Sequence, residues 1–349
     1  FDLAQRVARI TLDPMNHIFF ANSGSEAIDT ALKIAMAYHR VKGQGHRTRF
    51  VSRERAYHGV NIGGTSLSGM VKNRETFSGT MPGVVHMRHT WDPKQAFTRG
   101  QPETGADLAD DLQRICENVG GSTIAACFVE PIAGSTGCLV PPKGYLERLR
   151  EICDAHGILL VFDEVITGFG RTGAPFAAQA FGVTPDLMTM AKAITNGCQP
   201  MGAIAVKDEI YETIINAAPE NAIELFHGYT YSSHPAACAA GVAVQKIYEA
   251  DNTFAKAAGM VDHFQKALYS LEGLDCLADI RGYGMIGAIE LKPKGNPGAL
   301  GTQFQKDLFW RGLHVKFTGD CGVVAPAFVA TESDIDAMIG LLREALEEL

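Results

Sequence analysis

Residues 158–197 read ILLVFDEVITGFGRTGAPFAAQAFGVTPDLMTMAKAITNG. Two apolar runs stand out. Ile158–Phe162 ends in Asp163-Glu164, and Leu187–Ala191 ends in Lys192. Short apolar runs bounded by turn residues read as strands buried on both faces. Each run carries a charged residue to the carboxyl end of a central strand, where open α/β sheets keep their sites. An unpaired buried charge is costly, so Asp163 and Lys192 require a partner or a ligand.

Outward from this stretch, strands and helices alternate. Asn16–Ala21 reads as a strand that runs into Asn22-Ser-Gly-Ser-Glu26 and a helix to about His39. Ser23 and Glu26 fit a capping box, which leaves N–H groups of Gly24 and Ser25 at a helix N-terminus. A strand, a Gly/Ser turn and a helix start together suit an anion. Taken alone, the segment is more simply an ordinary N-cap. Arg49–Ser52 reads as the next strand, followed by Tyr57-His58-Gly59. Ile124–Val129 is a strand ending in Glu130-Pro131, and Gly144–His156 is a helix feeding the Asp163 strand. This alternation predicts a mainly parallel sheet with flanking helices. Residues 60–104, rich in Gly, Ser, Thr and Pro, are long for a structureless connection, and such segments tend to be functional.

The character changes near residue 272. Short strands are expected over 276–291, 314–317 and 322–325, with a closing helix over 331–348. The expectation is a large domain over 1–271 and a smaller α+β domain over 272–349.

The totals narrow the function. The chain has 349 residues, 46% hydrophobic and 20% charged, with net charge −8. No Lys/Arg run suggests a nucleic-acid or anionic-membrane footprint, and no window has the length of uninterrupted apolar sequence that a membrane helix needs. The eight cysteines are scattered without a C-x-x-C pair and read as reduced thiols. A cytoplasmic protein is expected. The first residue is Phe1, in what reads as a helix, and a preceding segment is expected. His86-Met-Arg-His89 lacks accompanying Cys or carboxylate ligands and reads as non-metal. G-x-G-x-x-G occurs at Gly168-Gly170-Gly173 and at Gly282-Gly284-Gly287. Neither opens a helix after a strand, as a dinucleotide fingerprint requires.

An anion cradle (Gly24, Ser25), an aromatic (Tyr57), a carboxylate (Asp163) and an amine (Lys192) suit one kind of ligand. It is a flat cationic heteroaromatic ring bearing a phosphate and an aldehyde, as in pyridoxal 5′-phosphate. The motifs NSGSEA, AYHG, VEPI-x-G, LVFDEVITGFGRTG, PDLMTMAKAITNG and GYTYSSHP occur in the order seen in the class III (subgroup II) aminotransferases, and the sequence resembles that family along its whole length. FFANSGSEAIDTALKIAMAYHR and FHGYTYSSHP are most similar to the ω-amino acid:pyruvate (β-alanine:pyruvate) transaminases.

The resemblance implies the pyridoxal-phosphate fold type I and a role for each matched position. Lys192 would form the Schiff base, and Asp163 would pair with the ring nitrogen. Tyr57 and Val165 would cover the two ring faces, and Gly24 and Ser25 would hold the phosphate. Glu130 and His58 would lie in the hydrogen-bonded layer around Asp163. Thr230 would reach the phosphate of a neighbouring subunit, making the unit a homodimer or tetramer. Lys316 stands where β-alanine:pyruvate relatives have a carboxylate-gripping Arg, and keeps the charge without the planar fork. Ser135 stands where ornithine and 4-aminobutyrate transaminases have Glu. Expected is a ping-pong transfer from an ω-amino acid or primary amine to pyruvate. Another donor (taurine, a diamine or 4-aminobutyrate), an aminomutase or a decarboxylase on the same scaffold remain open, as do a nucleotide-dependent oxidoreductase and a non-catalytic relative.

Overall fold

A computed structural model describes residues 1–349. The first part of the chain contains β1 (His17–Ala21), β2 (Arg49–Arg53), β3 (Val84–Met87), β4 (Ile124–Val129), β5 (Leu159–Asp163), β6 (Leu187–Met190) and β7 (Gly202–Val206). Its helices are α1 (Asp2–Ile10), α2 (Gly24–Val41), α3 (Ile62–Leu67), α4 (Val71–Thr76), α5 (Asp110–Val119), α6 (Tyr145–His156), α7 (Ala177–Phe181), α8 (Asp208–Asn216) and α9 (Pro235–Ala250). The remainder contains α10 (Thr253–Tyr269), β8 (Leu277–Tyr283), β9 (Ile286–Leu291), α11 (Ala299–Trp310), β10 (Lys316–Thr318), β11 (Cys321–Val324) and α12 (Glu332–Glu347). No helix is long and apolar enough to cross a membrane.

Seven strands form one sheet in the order β1-β7-β6-β5-β4-β2-β3. The run from β6 through β5, β4 and β2 to β3 is parallel, while β7 is antiparallel to both β6 and β1. Both faces are covered. Leu159 and Val161 of β5 join the core shared with α2 and α8, and Leu160 and Phe162 join the core shared with α1, α5 and α6. This is the period-two alternation of a strand buried on both sides. The same alternation sorts the two acids at the strand end. The face that receives Leu159 and Val161 also receives Asp163, whereas Glu164 falls to the opposite side.

The Ile124–Val129 strand lies where the sequence placed it, and the helix expected over Gly144–His156 forms as α6. The interval 60–104 is not structureless: it holds α3, α4 and β3. Ala257, Phe264 and Leu268 of α10 share a hydrophobic core with β8, β9, α11 and α12 of the smaller domain. That domain carries a four-stranded antiparallel sheet in the order β10-β11-β9-β8.

Neither glycine triplet sits as a dinucleotide loop would. Gly168–Gly173 lies between β5 and the short α7, and Gly282–Gly287 spans the β8–β9 hairpin.

One glycine joins sheet and site. A Cβ on Gly202, the first residue of β7, would lie 2.2 Å from the carbonyl oxygen of Ser23, the residue that caps α2. Backbone leaves such an atom no room. Gly202→Ala should lose about 1–3 kcal/mol of stability in equilibrium denaturant unfolding, the usual cost of overpacking. An unchanged midpoint and slope would contradict the close approach.

Candidate active site

A cavity of about 430 Å³ opens at the carboxyl ends of β4, β5 and β6 and at the start of α2. Its lining includes Gly24, Ser25, Tyr57, His58, Glu130, Asp163, Val165 and Lys192, eight of the ten residues singled out from sequence. The other two, Thr230 and Lys316, are exposed and lie outside the lining.

The α2 end is built by side chains and close packing. Ser23 Oγ accepts the Glu26 N–H at 3.1 Å. Glu26 reaches back one residue farther than a standard capping box, its Oε2 accepting the Asn22 N–H at 2.7 Å. Ser25 Oγ accepts the Val60 N–H at 3.0 Å, which ties the loop after Tyr57 to the helix start. A Cβ on Gly24 would meet Val165 Cγ2 at 3.2 Å, and one on Gly59 would lie 2.5 Å from Ser25 Oγ. Small residues keep this helix end open, and free N–H groups there favour an anion.

Asp163 is 6% exposed. Its Oδ2 lies 2.8 Å from His58 Nδ1, and its Oδ1 accepts from the Val165 N–H and from Thr189 Oγ1, each at 3.2 Å. Thr189 falls on the same face of β6 as Leu187, so alternation aims it at Asp163. The sequence reading missed Thr189. Its position in the LMTM run, two residues from Leu187, was the one signal for it.

Glu130 is also buried, and burial pushes its carboxyl up. Its two oxygens accept the N–H groups of Tyr57 and Gly134, each at 3.0 Å. One carboxylate thus joins the loop carrying the aromatic to the loop following β4. Beneath Glu130, the buried Arg53 guanidinium donates to its backbone carbonyl.

Lys192 stands across the cavity from these acids. It forms no ion pair with Asp163, which pairs with His58 instead. The side chain is open to the water of the cavity, yet enough protein surrounds it that desolvation lowers its pKa. Asp163 and Glu130 oppose that shift, and the nearby charge of Lys316 adds to it. A lowered amine pKa raises the fraction of lysine that can act as nucleophile or base. Lys192 has φ +45°, in the left-handed region that non-glycine residues rarely occupy. A residue held in this way at a site is a common mark of functional strain.

Alternation places Glu164 on the far side of β5, 1% exposed. Its carboxylate accepts from Thr167 Oγ1 at 2.5 Å and from the N–H groups of Ala177 and Ala178 at 2.9 and 2.7 Å. No cation faces it, and burial raises its pKa from 4.5 to about 7. Between those values the folded state holds the proton more tightly than the unfolded state. This stabilising contribution is complete below pH 4.5 and is lost as pH rises toward 7. Relative to Glu164→Gln, the parent should therefore lose roughly 3 kcal/mol of unfolding free energy across that window. Denaturant unfolding of both proteins at about pH 5 and about pH 7.5 checks this, and parallel pH profiles would contradict it.

Comparison with known proteins agrees with this geometry. The aminotransferase class-III family model matches residues 1–346. An omega-aminotransferase from Caulobacter vibrioides is 51% identical, with 100% of this chain and 80% of the relative covered. A beta-alanine–pyruvate aminotransferase from Pseudomonas aeruginosa is 48% identical over 99% of this chain and 78% of its own length. Among solved structures, an omega transaminase from Pseudomonas jessenii in complex with PMP superposes with a TM-score of 0.94 at 32% identity, covering 99% of this chain and 78% of that one. Class III aminotransferases depend on pyridoxal 5′-phosphate. A mainly parallel sheet with a cavity at its carboxyl edge, the smaller antiparallel domain and the family match lead to one conclusion: the chain belongs to the class-III aminotransferases and is a transaminase.

Proposed function

We propose that the protein moves an amino group from an ω-amino acid or other primary amine to pyruvate in two half-reactions, with Lys192 as the residue that bonds the cofactor aldehyde. The observation that carries this is the placement of Lys192 and Asp163 in one cavity without an ion pair between them, each free for a different part of one ligand. The names of the relatives, omega-aminotransferase and beta-alanine–pyruvate aminotransferase, support the choice of substrates.

The lining fits pyridoxal 5′-phosphate in chemistry. Gly24 and Ser25 offer N–H groups and a hydroxyl to its phosphate. The cradle is one that a Cβ at Gly24 would narrow. Tyr57 and Val165 are placed for the ring, and Asp163 for its nitrogen. When bound, the cofactor supplies an electron sink for the charge that develops on the substrate carbon.

The chain's own groups then divide the work. Asp163, braced by His58, Thr189 and the Val165 N–H, would face the ring nitrogen and accept its N–H. His58 Nδ1 donates to this carboxylate in the arrangement that fixes both groups. With the cofactor bound, Lys192 Nζ would take the proton from the substrate carbon as general base and would then give it, as general acid, to the cofactor carbon that had carried the aldehyde. Its desolvated amine suits the first role. Lys316, exposed and close enough to bias Lys192, would meet a substrate carboxylate. Lys in place of a bidentate Arg gives a point charge rather than a fork, which loosens the hold on acids and favours simple amines.

Thr230 is exposed, as are Phe226 at 93% and Tyr231 at 67% in the same segment. Exposed aromatics there support a second copy covering the segment, in which case Thr230 would reach that copy's phosphate cradle.

Lys192→Ala should retain the fold and lower transamination from β-alanine to pyruvate by at least about 10³-fold, while the cofactor still binds without a covalent link. Asp163→Asn should keep the secondary structure and lose roughly 10²-fold or more in kcat. Parent-like rates from the first variant would overturn the reading, and parent-like rates from the second would remove Asp163 from its role.

A further inference from the structure

The loop after β4 is held at three points by three different elements. Gly134 N–H donates to Glu130 Oε2 on the cavity side at 3.0 Å. The Ser135 carbonyl accepts from Thr318 Oγ1 of β10 at 2.9 Å. The Gly137 carbonyl accepts from Arg281 Nε of β8 at 2.8 Å. Two of these three attachments come from the smaller domain. The loop leaves little slack: a Cβ on Gly134 would lie 2.7 Å from Ile166, a cavity residue, and one on Gly137 would lie 2.4 Å from Cys321 Sγ.

Cys321 is the strand partner of Thr318 and accepts from Arg281 Nη2 at 3.1 Å. Arg281 is buried and also pairs with Asp279 and Glu290, so it is fixed on its own side. β10, β11 and the loop therefore form one packed unit. Within β10, Lys316 and Thr318 are two residues apart, and side chains at that spacing share a face of a strand. The face that brings the Thr318 hydroxyl to Ser135 is the face on which Lys316 lies.

We propose that Thr318 is a positioning residue for acidic substrates: its bond to the Ser135 carbonyl seats β10 against the cavity loop and sets the reach of Lys316 toward a substrate carboxylate. The inference rests on the proposed role of Lys316 as the carboxylate contact and extends it to a residue that does not touch substrate. A strand of three residues has few ladder bonds to hold it, so side chains fix it: Gln305 Oε1 accepts the Phe317 N–H at 2.8 Å in its middle, and the Thr318 hydroxyl ties its end to the loop. Loss of the hydroxyl frees β10 to shift while leaving Lys192, Asp163 and the cofactor cradle in place. The effect of Thr318 is selective, since its change leaves the charge of Lys316 in place and alters only the reach of that charge to a ligand carboxylate.

The test uses the holoenzyme and two ligands of similar size, β-alanine and propylamine, which has a methyl group where β-alanine has its carboxylate. Apparent dissociation constants are read from the change in cofactor absorption, for the parent, Lys316→Met, Thr318→Val, Thr318→Ser and the double variant that combines Lys316→Met with Thr318→Val. Melting temperatures of the same proteins without substrate report on folding. Lys316→Met should weaken β-alanine binding roughly tenfold or more, as loss of a charged hydrogen-bond partner does. Thr318→Val should weaken it roughly threefold to tenfold and leave propylamine binding and melting temperature as in the parent. Thr318→Ser, which keeps the hydroxyl, should restore parent affinity. The double variant should be no weaker than Lys316→Met alone, because both changes remove one interaction. Unchanged β-alanine binding in Lys316→Met would overturn the role of Lys316 and the inference with it. If Lys316→Met weakens β-alanine but Thr318→Val weakens neither ligand, or weakens both equally, the inference falls while the role of Lys316 stands.

Discussion

A carboxylate buried at the end of a central strand has to be satisfied, and much of this site depends on how Asp163 is. Water cannot do it at 6% exposure. Three neighbours do: the His58 ring, the Thr189 hydroxyl and the Val165 N–H. Each comes from a different part of the sheet edge, so meeting the demand of one carboxylate fixes the exit of β2, the face of β6 and the turn after β5 together. These bonds orient the acid without enlisting Lys192. An ion pair between Asp163 and Lys192 would neutralise both groups and close the cavity. Their separation keeps a negative group and a lysine free to meet different points of one ligand.

Strand alternation supplies the second constraint. Adjacent acids in Asp163-Glu164 go to opposite faces of β5, one to the cavity and one to the packing of α7. The first is braced for chemistry. The second holds the turn by accepting three bonds, and its burial raises its proton affinity. Glu130 repeats the cavity-facing pattern one strand over, with both oxygens spent on backbone N–H groups. The buried acids around the site thus divide into one that faces ligand chemistry and two that hold loops. The left-handed backbone of Lys192 fits the same scheme, since the chain must turn sharply after β6 to present the side chain.

Elements whose burial is local were legible from sequence. Ile124–Val129 and Gly202–Val206 are continuous apolar runs, and both cores receive their alternate residues. The capping pattern at Ser23 and Glu26 marked the start of α2, although Glu26 serves Asn22 rather than Ser23. Elements that depend on distant partners were not legible. α3 reads IGGTSL, too short and glycine-rich for a helical period. α11 is recognised by Phe304 and Leu308 entering a core assembled from the whole smaller domain. The packing of α10 residues into that core depends on the elements they meet, not on the helix's own pattern. At the site, eight motif residues meet at the cavity, whereas Thr189 had only its strand alternation with Leu187 to mark it, a weak signal until its neighbour is known. Thr318 and Arg281 were out of reach for the same reason. Their bonds to the loop after β4 go to carbonyl groups, which every residue has.

The central claim is that Lys192 is the residue that bonds the cofactor and Asp163 the one that faces its ring nitrogen. The direct measurement is borohydride reduction of the purified holoenzyme, followed by proteolysis and mass mapping of the modified peptide. The account predicts that the visible absorption bleaches and that the added mass lies on Lys192 alone. Mass on any other lysine, or absorption that survives reduction with no adduct, would contradict it.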